Sequence, residues 1–272
     1  MEKRPGPRYF FEADEAVRRM ARAIPHRRIA LFLDFDGTLS PIQKNPARSA
    51  MSDEVRGQLQ SLANASLCFV TVLSGRSLKD IKAKVGMSTI CYGGNHGLAI
   101  SGNGMAFVHP GALLAKPSVD IAARRLNKEV TRIEGAWVER KQFSVSLHYR
   151  SVGKGDIQLA KSVFYKVKAE LPDVDSLSVM KGKKVLELLP DIMWDKGSAV
   201  LWILKRLEDA PLPVYVGDDV TDENAFRAIG KKGITIRVGP SKKTCAQYYL
   251  KTSREVQRLL QMVRKLVEYD GQ

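Results

Sequence analysis

The chain has 272 residues, 44% hydrophobic and 7% aromatic, enough to bury a sizeable core and so to exclude a disordered chain. Its 44 Lys and Arg against 29 Asp and Glu leave a net charge of +15, which favours anionic partners without choosing among phosphate esters, nucleic acid and membrane surfaces. Three distant cysteines, Cys68, Cys91 and Cys245, argue against a disulfide scaffold or a structural zinc site.

In chain order, residues 1–28 form a basic N-terminal segment whose stretch 18–28 reads as a solvated helix face. Short apolar runs follow at residues 29–33, 67–73 and 89–92, and again at 214–216 and 234–238. Each ends in or near Gly or Asp, and helical patterns lie between them, which is how buried parallel strands with crossover helices look in a sequence. Between the third and fourth runs, Val200, Ile203, Leu204 and Leu207 mark one helical face. Thr252 and Glu255 form a capping-box pattern for a last helix carrying Val256, Leu259, Leu260, Val263 and Val267.

The middle differs. One helix is expected after Ser118, and another carries Ile157, Ala160, Phe164, Val167 and Leu171. Residues 137–149 alternate, with Phe143, Val145, Leu147 and Tyr149 on one face, and a hairpin turns around residues 181–183. The expected fold is α/β: a doubly wound, mostly parallel sheet with an inserted α+β cap. The expected division is 1–107 for the first half of the core, 108–184 for the cap and 185–272 for the second half. No run approaches about 18 apolar residues, and no apolar leader opens the chain. A cytoplasmic, monomeric protein that binds neither membrane nor specific nucleic acid is the expectation.

The chemistry concentrates where these strands end. Asp34 and Asp36, two apart after an apolar strand and followed by Gly37 and Thr38, fall at the strand's C-terminal edge, where open α/β sheets bind ligands. One such carboxylate can attack phosphorus while the other trades protons with the leaving group. Ser74 and Gly75 close the next strand before a helix start, a place suited to a phosphate oxygen. Asp218, Asp219, Asp222 and Glu223 crowd another strand end, and such charges repel unless a cation sits among them. Hard oxygen donors suit Mg²⁺. Lys196 opens a helix against the dipole preference, a conflict that a phosphate beside it would remove. In the middle segment Glu139 and Lys141 share a strand face, and Glu187 interrupts an apolar strand. Buried polar groups need partners, and sugar hydroxyls are candidates.

The ordered stretches Asp-Phe-Asp-Gly-Thr-Leu (34–39), Leu-Ser-Gly-Arg (73–76), Asp-Lys-Gly (195–197) and Gly-Asp-Asp-Val-Thr-Asp-Glu (217–223) resemble the four motifs of haloacid-dehalogenase-type phosphotransferases. Residues 94–97, 138–141, 146–150 and 182–187 extend the resemblance to the trehalose-6-phosphate phosphatases, over residues 29–266. That resemblance implies hydrolysis of trehalose 6-phosphate in trehalose biosynthesis, with Asp34 as the nucleophile that forms an aspartyl-phosphate. It implies Asp36 as acid and then base, and Ser74, Gly75, Thr38 and Lys196 as the grip on the phosphoryl group. Mg²⁺ falls to Asp34, the Asp36 carbonyl and Asp218, with Asp219 and Asp222 as further ligands. Asn95, His96, Glu139, Lys141, Arg150, Lys183 and Glu187 fall to the sugar. At Ala99 the chain departs from the resemblance, since many relatives are acidic there. Two alternatives stand beside this: a phosphatase for sucrose 6-phosphate or a glycosyl-phosphoglycerate, and a polyanion-binding protein. No helix-turn-helix, RNP-type strand or zinc finger supports the latter, and no Walker A or dinucleotide motif supports a nucleotide enzyme.

Overall fold

The computed structural model describes residues 6–24, 26–43, 45–182 and 184–269. Phe107–Met193 form one compact unit, and the chain on either side of it forms the other.

In chain order the elements before the insertion are β1 (Arg8–Tyr9), α1 (Asp14–Ala23), β2 (Ile29–Leu33), α2 (Asp53–Asn64), β3 (Cys68–Leu73), α3 (Leu78–Val85), β4 (Cys91–Gly94), β5 (Ala99–Gly102) and β6 (Met105–Val108). The inserted unit follows with α4 (Pro110–Val130), β7 (Trp137–Arg140), β8 (Val145–His148), α5 (Ile157–Ala169), β9 (Leu177–Gly182) and β10 (Val185–Pro190). The chain then continues through α6 (Lys196–Leu204), β11 (Leu212–Gly217), α7 (Asp222–Ile229), β12 (Ile234–Val238), β13 (Tyr248–Leu250) and α8 (Arg254–Tyr269).

The large sheet has the order β1-β13-β12-β11-β2-β3-β4-β5-β6. It is parallel from β1 to β4, and β5 turns back antiparallel against β4. Every residue of β2, β3 and β11 is buried, because helices cover both faces. Ile29, Leu31 and Leu33 join one core with residues of α1, α2, α3 and α8. The opposite face carries Phe32 and Tyr215, stacked with centroids 6.4 Å apart, and Phe226 of α7 meets Tyr215 edge-on at 5.7 Å. The chain leaves β2 toward β3 on one side and returns as β11 on the other, so β2 and β11 flank a topological switch point.

The inserted unit is α+β. Its antiparallel sheet has the order β7-β8-β10-β9, and Val145, Leu147, Leu186 and Leu188 join a core with residues of α4 and α5.

Several sequence expectations need correction. The boundary expected after residue 184 falls inside a hairpin; β10 pairs with both β8 and β9, so the inserted unit runs to Met193. The first helix of that unit begins at Pro110, not after Ser118. Pro110 stands in the first turn, where its missing N–H costs nothing, and His109 caps Gly111 N–H. Pro117 is tolerated inside the helix on an exposed position. The capping box at Thr252 is not formed as expected: Glu255 accepts from the Lys251 N–H at 2.7 Å and from the Tyr9 hydroxyl at 2.7 Å. Cys68, Cys91 and Cys245 are free thiols. No helix among the described residues is long and apolar enough to cross a membrane.

Candidate active site

Because β2, β3, β4 and β11 are adjacent and parallel, the residues just beyond their last positions share one edge of the sheet. Asp34 follows β2, Ser74 follows β3, Asn95 follows β4 and Asp218 follows β11. The Asp34 N–H is tied to Val216 O at 2.9 Å, which fixes the first of these ends to the last.

Lys196 is the centre of the arrangement. It is the first residue of α6, and Asp195 caps that helix by accepting the Ser198 N–H at 2.8 Å. The Lys196 ammonium, 2% exposed, donates to Asp34 Oδ1 at 2.6 Å and to Asp222 Oδ1 at 2.7 Å. Asp222 also accepts the Tyr215 hydroxyl at 2.7 Å on Oδ1 and the Asp219 N–H at 2.8 Å on Oδ2. Burial would discharge Lys196, but the charges of Asp222 and Asp34 outweigh it and raise its pKa. The Tyr215 phenol is driven well above its usual range by burial and by Asp222, so it stays a neutral donor.

Asp34, Asp218 and Asp222 bring carboxylate oxygens within 4.8 Å of one another. Three carboxylates therefore face a single ammonium, and the excess negative charge appears in their titration. Burial, with Asp222 and Asp218 adding to it against the pull of Lys196, pushes Asp34 well above the usual carboxylate range. Burial and the charges of Asp222 and Asp219 push Asp218 up to about 7. Asp218 Oδ1 is buried and has no hydrogen-bond partner. An orphaned carboxylate oxygen in an over-negative cluster of hard donors fits a divalent cation such as Mg²⁺. Asp34 and Asp218 would hold it, since both oxygens of Asp222 already serve Lys196, Tyr215 and Asp219.

The same geometry sorts the other candidates. The Asp36 carboxylate lies outside this group, gripped by Arg76 through two bonds, Nε to Oδ2 at 2.6 Å and Nη2 to Oδ1 at 2.8 Å. Arg76, mostly buried, also binds Asp80 at 2.7 Å and Pro46 O at 2.6 Å. Asp219 is exposed, and its carboxylate is not part of the cluster. Gly37 has φ +90, and a Cβ there would strike the Asp218 carboxylate, so only glycine lets the two loops meet. The Thr38 hydroxyl is buried without a partner. Ser74 is buried and accepts the Arg76 N–H at 3.1 Å. A Cβ on Gly75 would enter the His96 ring. Asn95 N–H binds Arg76 O at 2.6 Å and His96 N–H binds Ser74 O at 2.9 Å, which fastens the turn after β4 to the loop after β3. Both side-chain amide atoms of Asn95 are buried and unpartnered. Ala99 is fully buried in β5 opposite Gly94, so it adds no polar group to this turn.

In the inserted unit, Glu139 lies opposite Ser146, and Ser146 opposite Glu187, across β7, β8 and β10. Alternation puts Trp137, Glu139, Ser146, His148 and Glu187 on the face turned away from the core of α4 and α5. Lys141, just past β7, donates to Glu187 Oε1 at 2.9 Å, and Ser144 donates to the same oxygen. His148 Nε2 lies 2.8 Å from Glu139 Oε2, with its ring stacked 3.8 Å from that of Trp137. Burial would raise Glu139, but the bond to His148 and the charge of Lys141 hold it below its usual value. Arg150 is exposed just beyond β8, and Lys183 lies outside the described residues. Sequence reasoning gave no role to Arg76, Tyr215, Trp137 or His148. Arg76 and His148 lie inside the quoted motifs, and a two-residue count along the strand would have put His148 on the polar face.

A family model described as Trehalose-phosphatase matches residues 32–254. The trehalose-phosphate phosphatase of Mycobacterium ulcerans is 38% identical over 242 residues, covering 86% of this chain and 60% of that protein. The chain thus spans about 60% of the length of this relative. The probable trehalose-phosphate phosphatase D of Arabidopsis thaliana is 36% identical over 267 residues, covering 92% and 70%. In fold, the C-terminal domain of the C. albicans trehalose-6-phosphate phosphatase superposes with a TM-score of 0.80 at 22% identity, covering 97% of this chain and 99% of that one. A haloacid dehalogenase-like hydrolase from Bacteroides thetaiotaomicron superposes with a TM-score of 0.60 at 15% identity, covering 87% and 100%.

Proposed function

The chain belongs to the trehalose-phosphatase family, and from that premise we propose that it hydrolyses trehalose 6-phosphate to trehalose and inorganic phosphate through an aspartyl-phosphate on Asp34. The observation that carries this reading is the buried set of Asp34, Lys196 and Asp222 beside the unpartnered Asp218 oxygen, at the ends of β2 and β11.

A carboxylate oxygen of Asp34 attacks phosphorus, and the bond from phosphorus to the sugar oxygen breaks. Asp36 gives its proton to that departing oxygen, then takes one from the water that attacks the phosphoryl group and frees Asp34. In this structure both Asp36 oxygens accept from Arg76, so Asp36 takes up its proton and turns to the departing oxygen once that grip opens. Lys196 holds Asp34 in place and offers positive charge to the transferring phosphoryl group, with the Thr38 and Ser74 hydroxyls as further donors. Asp34 and Asp218 would hold Mg²⁺, which would supply positive charge to the phosphoryl oxygens. We assign sugar selection to Glu139, Lys141, Arg150, Lys183 and Glu187 of the inserted unit, and a supporting part to Asn95 and His96. The paired charges of Lys141 with Glu187 support this, since they offer donors and acceptors that sugar hydroxyls can share.

The test is phosphate release from trehalose 6-phosphate, glucose 6-phosphate, sucrose 6-phosphate and a glucosyl-phosphoglycerate, with Mg²⁺ and with EDTA, using Asp34→Asn as the blank. Metal-dependent preference for the first is expected. Preference for another sugar phosphate would overturn the sugar assignment and leave the phosphatase chemistry standing.

A further inference from the structure

Outside the candidate active site, basic side chains gather on α1 and the turn after it. Arg18, Arg19, Arg22, His26 and Arg27 line a cleft of about 630 Å³, with Glu15 at one end. The positions 15, 18, 19 and 22 recur every three or four residues, so one face of α1 carries them, and His26 and Arg27 follow in the turn after the helix. Glu15 is engaged by Arg8 and by the Tyr248 hydroxyl, and its single charge, also felt by Arg18, leaves the arginines of the cleft in excess. Arg19 is tied down by donating to Gly233 O at 2.9 Å and Lys231 O at 2.7 Å. The side chains of Arg18, Arg22 and Arg27 are exposed and make no hydrogen bond or salt bridge to another described residue.

The place of this cleft separates it from the phosphatase chemistry. The carbonyls that hold Arg19 lie just before β12, and Arg27 lies just before β2, so the cleft borders the N-terminal edge of the parallel sheet. Asp34 and Asp218 follow the C-terminal ends of β2 and β11. The five residues of β2 put about 16 Å between the two edges.

Like charges one turn apart on a helix repel, as Arg18 and Arg22 do, and a bound anion would reverse the sign of that interaction. Guanidinium forks match phosphoryl oxygens bidentately. A single phosphate would answer one fork, whereas a short chain of phosphoryl groups brings several charges within one ligand. The cleft's volume falls in the range of small-molecule sites, roughly 300–1,000 Å³. We infer that this cleft is a second anion site, on the far edge of the core from the catalytic carboxylates, and that it takes a small ligand bearing a polyphosphate chain.

The experiment is calorimetric titration of the whole chain with sodium tripolyphosphate, in EDTA and about 150 mM salt, where loose surface attraction is screened. The variants are Arg18→Ala with Arg22→Ala, and, as a charge-matched control, the exposed pair Lys242→Ala with Lys243→Ala. The inference expects the arginine variant to lose at least about tenfold in affinity while the lysine variant binds as the unmodified chain does. Melting temperature and phosphate release are expected to stay unchanged in both, which separates this site from the candidate active site. Equal losses in the two variants would mean that net charge alone is being read. An unchanged titration in the arginine variant would place the binding elsewhere. Tighter capture of duplex DNA or of phosphatidylserine vesicles, lost in the arginine variant, would assign the face to a macromolecular partner. Each of these three results overturns the inference.

Discussion

The core and the inserted unit both bury charge, but they balance it differently. At the ends of β2 and β11 three carboxylates share one ammonium, and an oxygen of Asp218 is left with no partner. On the polar face of β7, β8 and β10 the polar groups come in matched contacts, the ion pair of Lys141 with Glu187 and the hydrogen bond of His148 with Glu139. A cluster left over-negative has room for a cation, whereas a matched face can offer a ligand only donors and acceptors that its internal partners give up. The first arrangement suits chemistry and the second suits selection.

The sharpest break of this contrast is at Asp34. Asp34→Asn is expected to lower turnover by on the order of 10⁴-fold or more while the chain still folds, checked by phosphate release and circular dichroism. Next comes the ammonium. Lys196→Met would leave Asp34 and Asp222 buried without their cation, at a cost of about 3–5 kcal/mol in urea unfolding near neutral pH. Lys141→Met removes one donor from Glu187 but leaves the Ser144 hydroxyl in place, so about 1–2 kcal/mol is expected. Equal costs for the two lysines would erase the difference between the clusters.

In the inserted unit, Glu187→Gln is expected to reduce kcat/KM for trehalose 6-phosphate by about 10–100-fold. Release from the small ester p-nitrophenyl phosphate should stay unchanged; a parallel loss on both substrates would place Glu187 in the chemistry rather than in selection. The smallest effect concerns pH. Asp218 titrates near 7 in the folded chain and at its ordinary 3.8 when unfolded, so the folded form binds the extra proton between these values. Stability from this group is therefore present below about pH 4 and lost as pH rises through about 7, and Mg²⁺ should compensate most above that point. The rise in melting temperature on adding Mg²⁺ is expected to be larger at pH 8 than at pH 5.5. An equal rise at both would remove Asp218 from the metal site.

Much of this was legible from the residues. The central strands β2 and β11 are buried on both faces and read as apolar runs, and Asp34 and Asp218 stand where those two runs stop. The two outermost strands on each side of the sheet, β1 and β13, β5 and β6, have two to four residues, too few to show a period. The placement of Lys196 was not legible either. Its partners Asp34 and Asp222 lie 162 and 26 positions away, and only the sheet order brings them to one ammonium. The acidic loop announced a cation but not its ligands: Asp219 and Asp222 look alike in sequence, yet one is exposed and the other is buried and saturated. Asp36 likewise reads as a partner of Asp34, and the structure ties it to Arg76 instead. The hairpin around residues 181–183 was legible, but the boundary expected after 184 cut through it; the pairing of β10 with both β9 and β8 keeps that strand in the inserted unit.

The most direct test is to quench the chain in acid during turnover of trehalose 6-phosphate with Mg²⁺, then map the modified peptide by mass spectrometry. A single added phosphoryl group on Asp34, absent in Asp34→Asn, is the predicted result. Steady phosphate release with no modified peptide, or a phosphoryl group on any other residue, would contradict it.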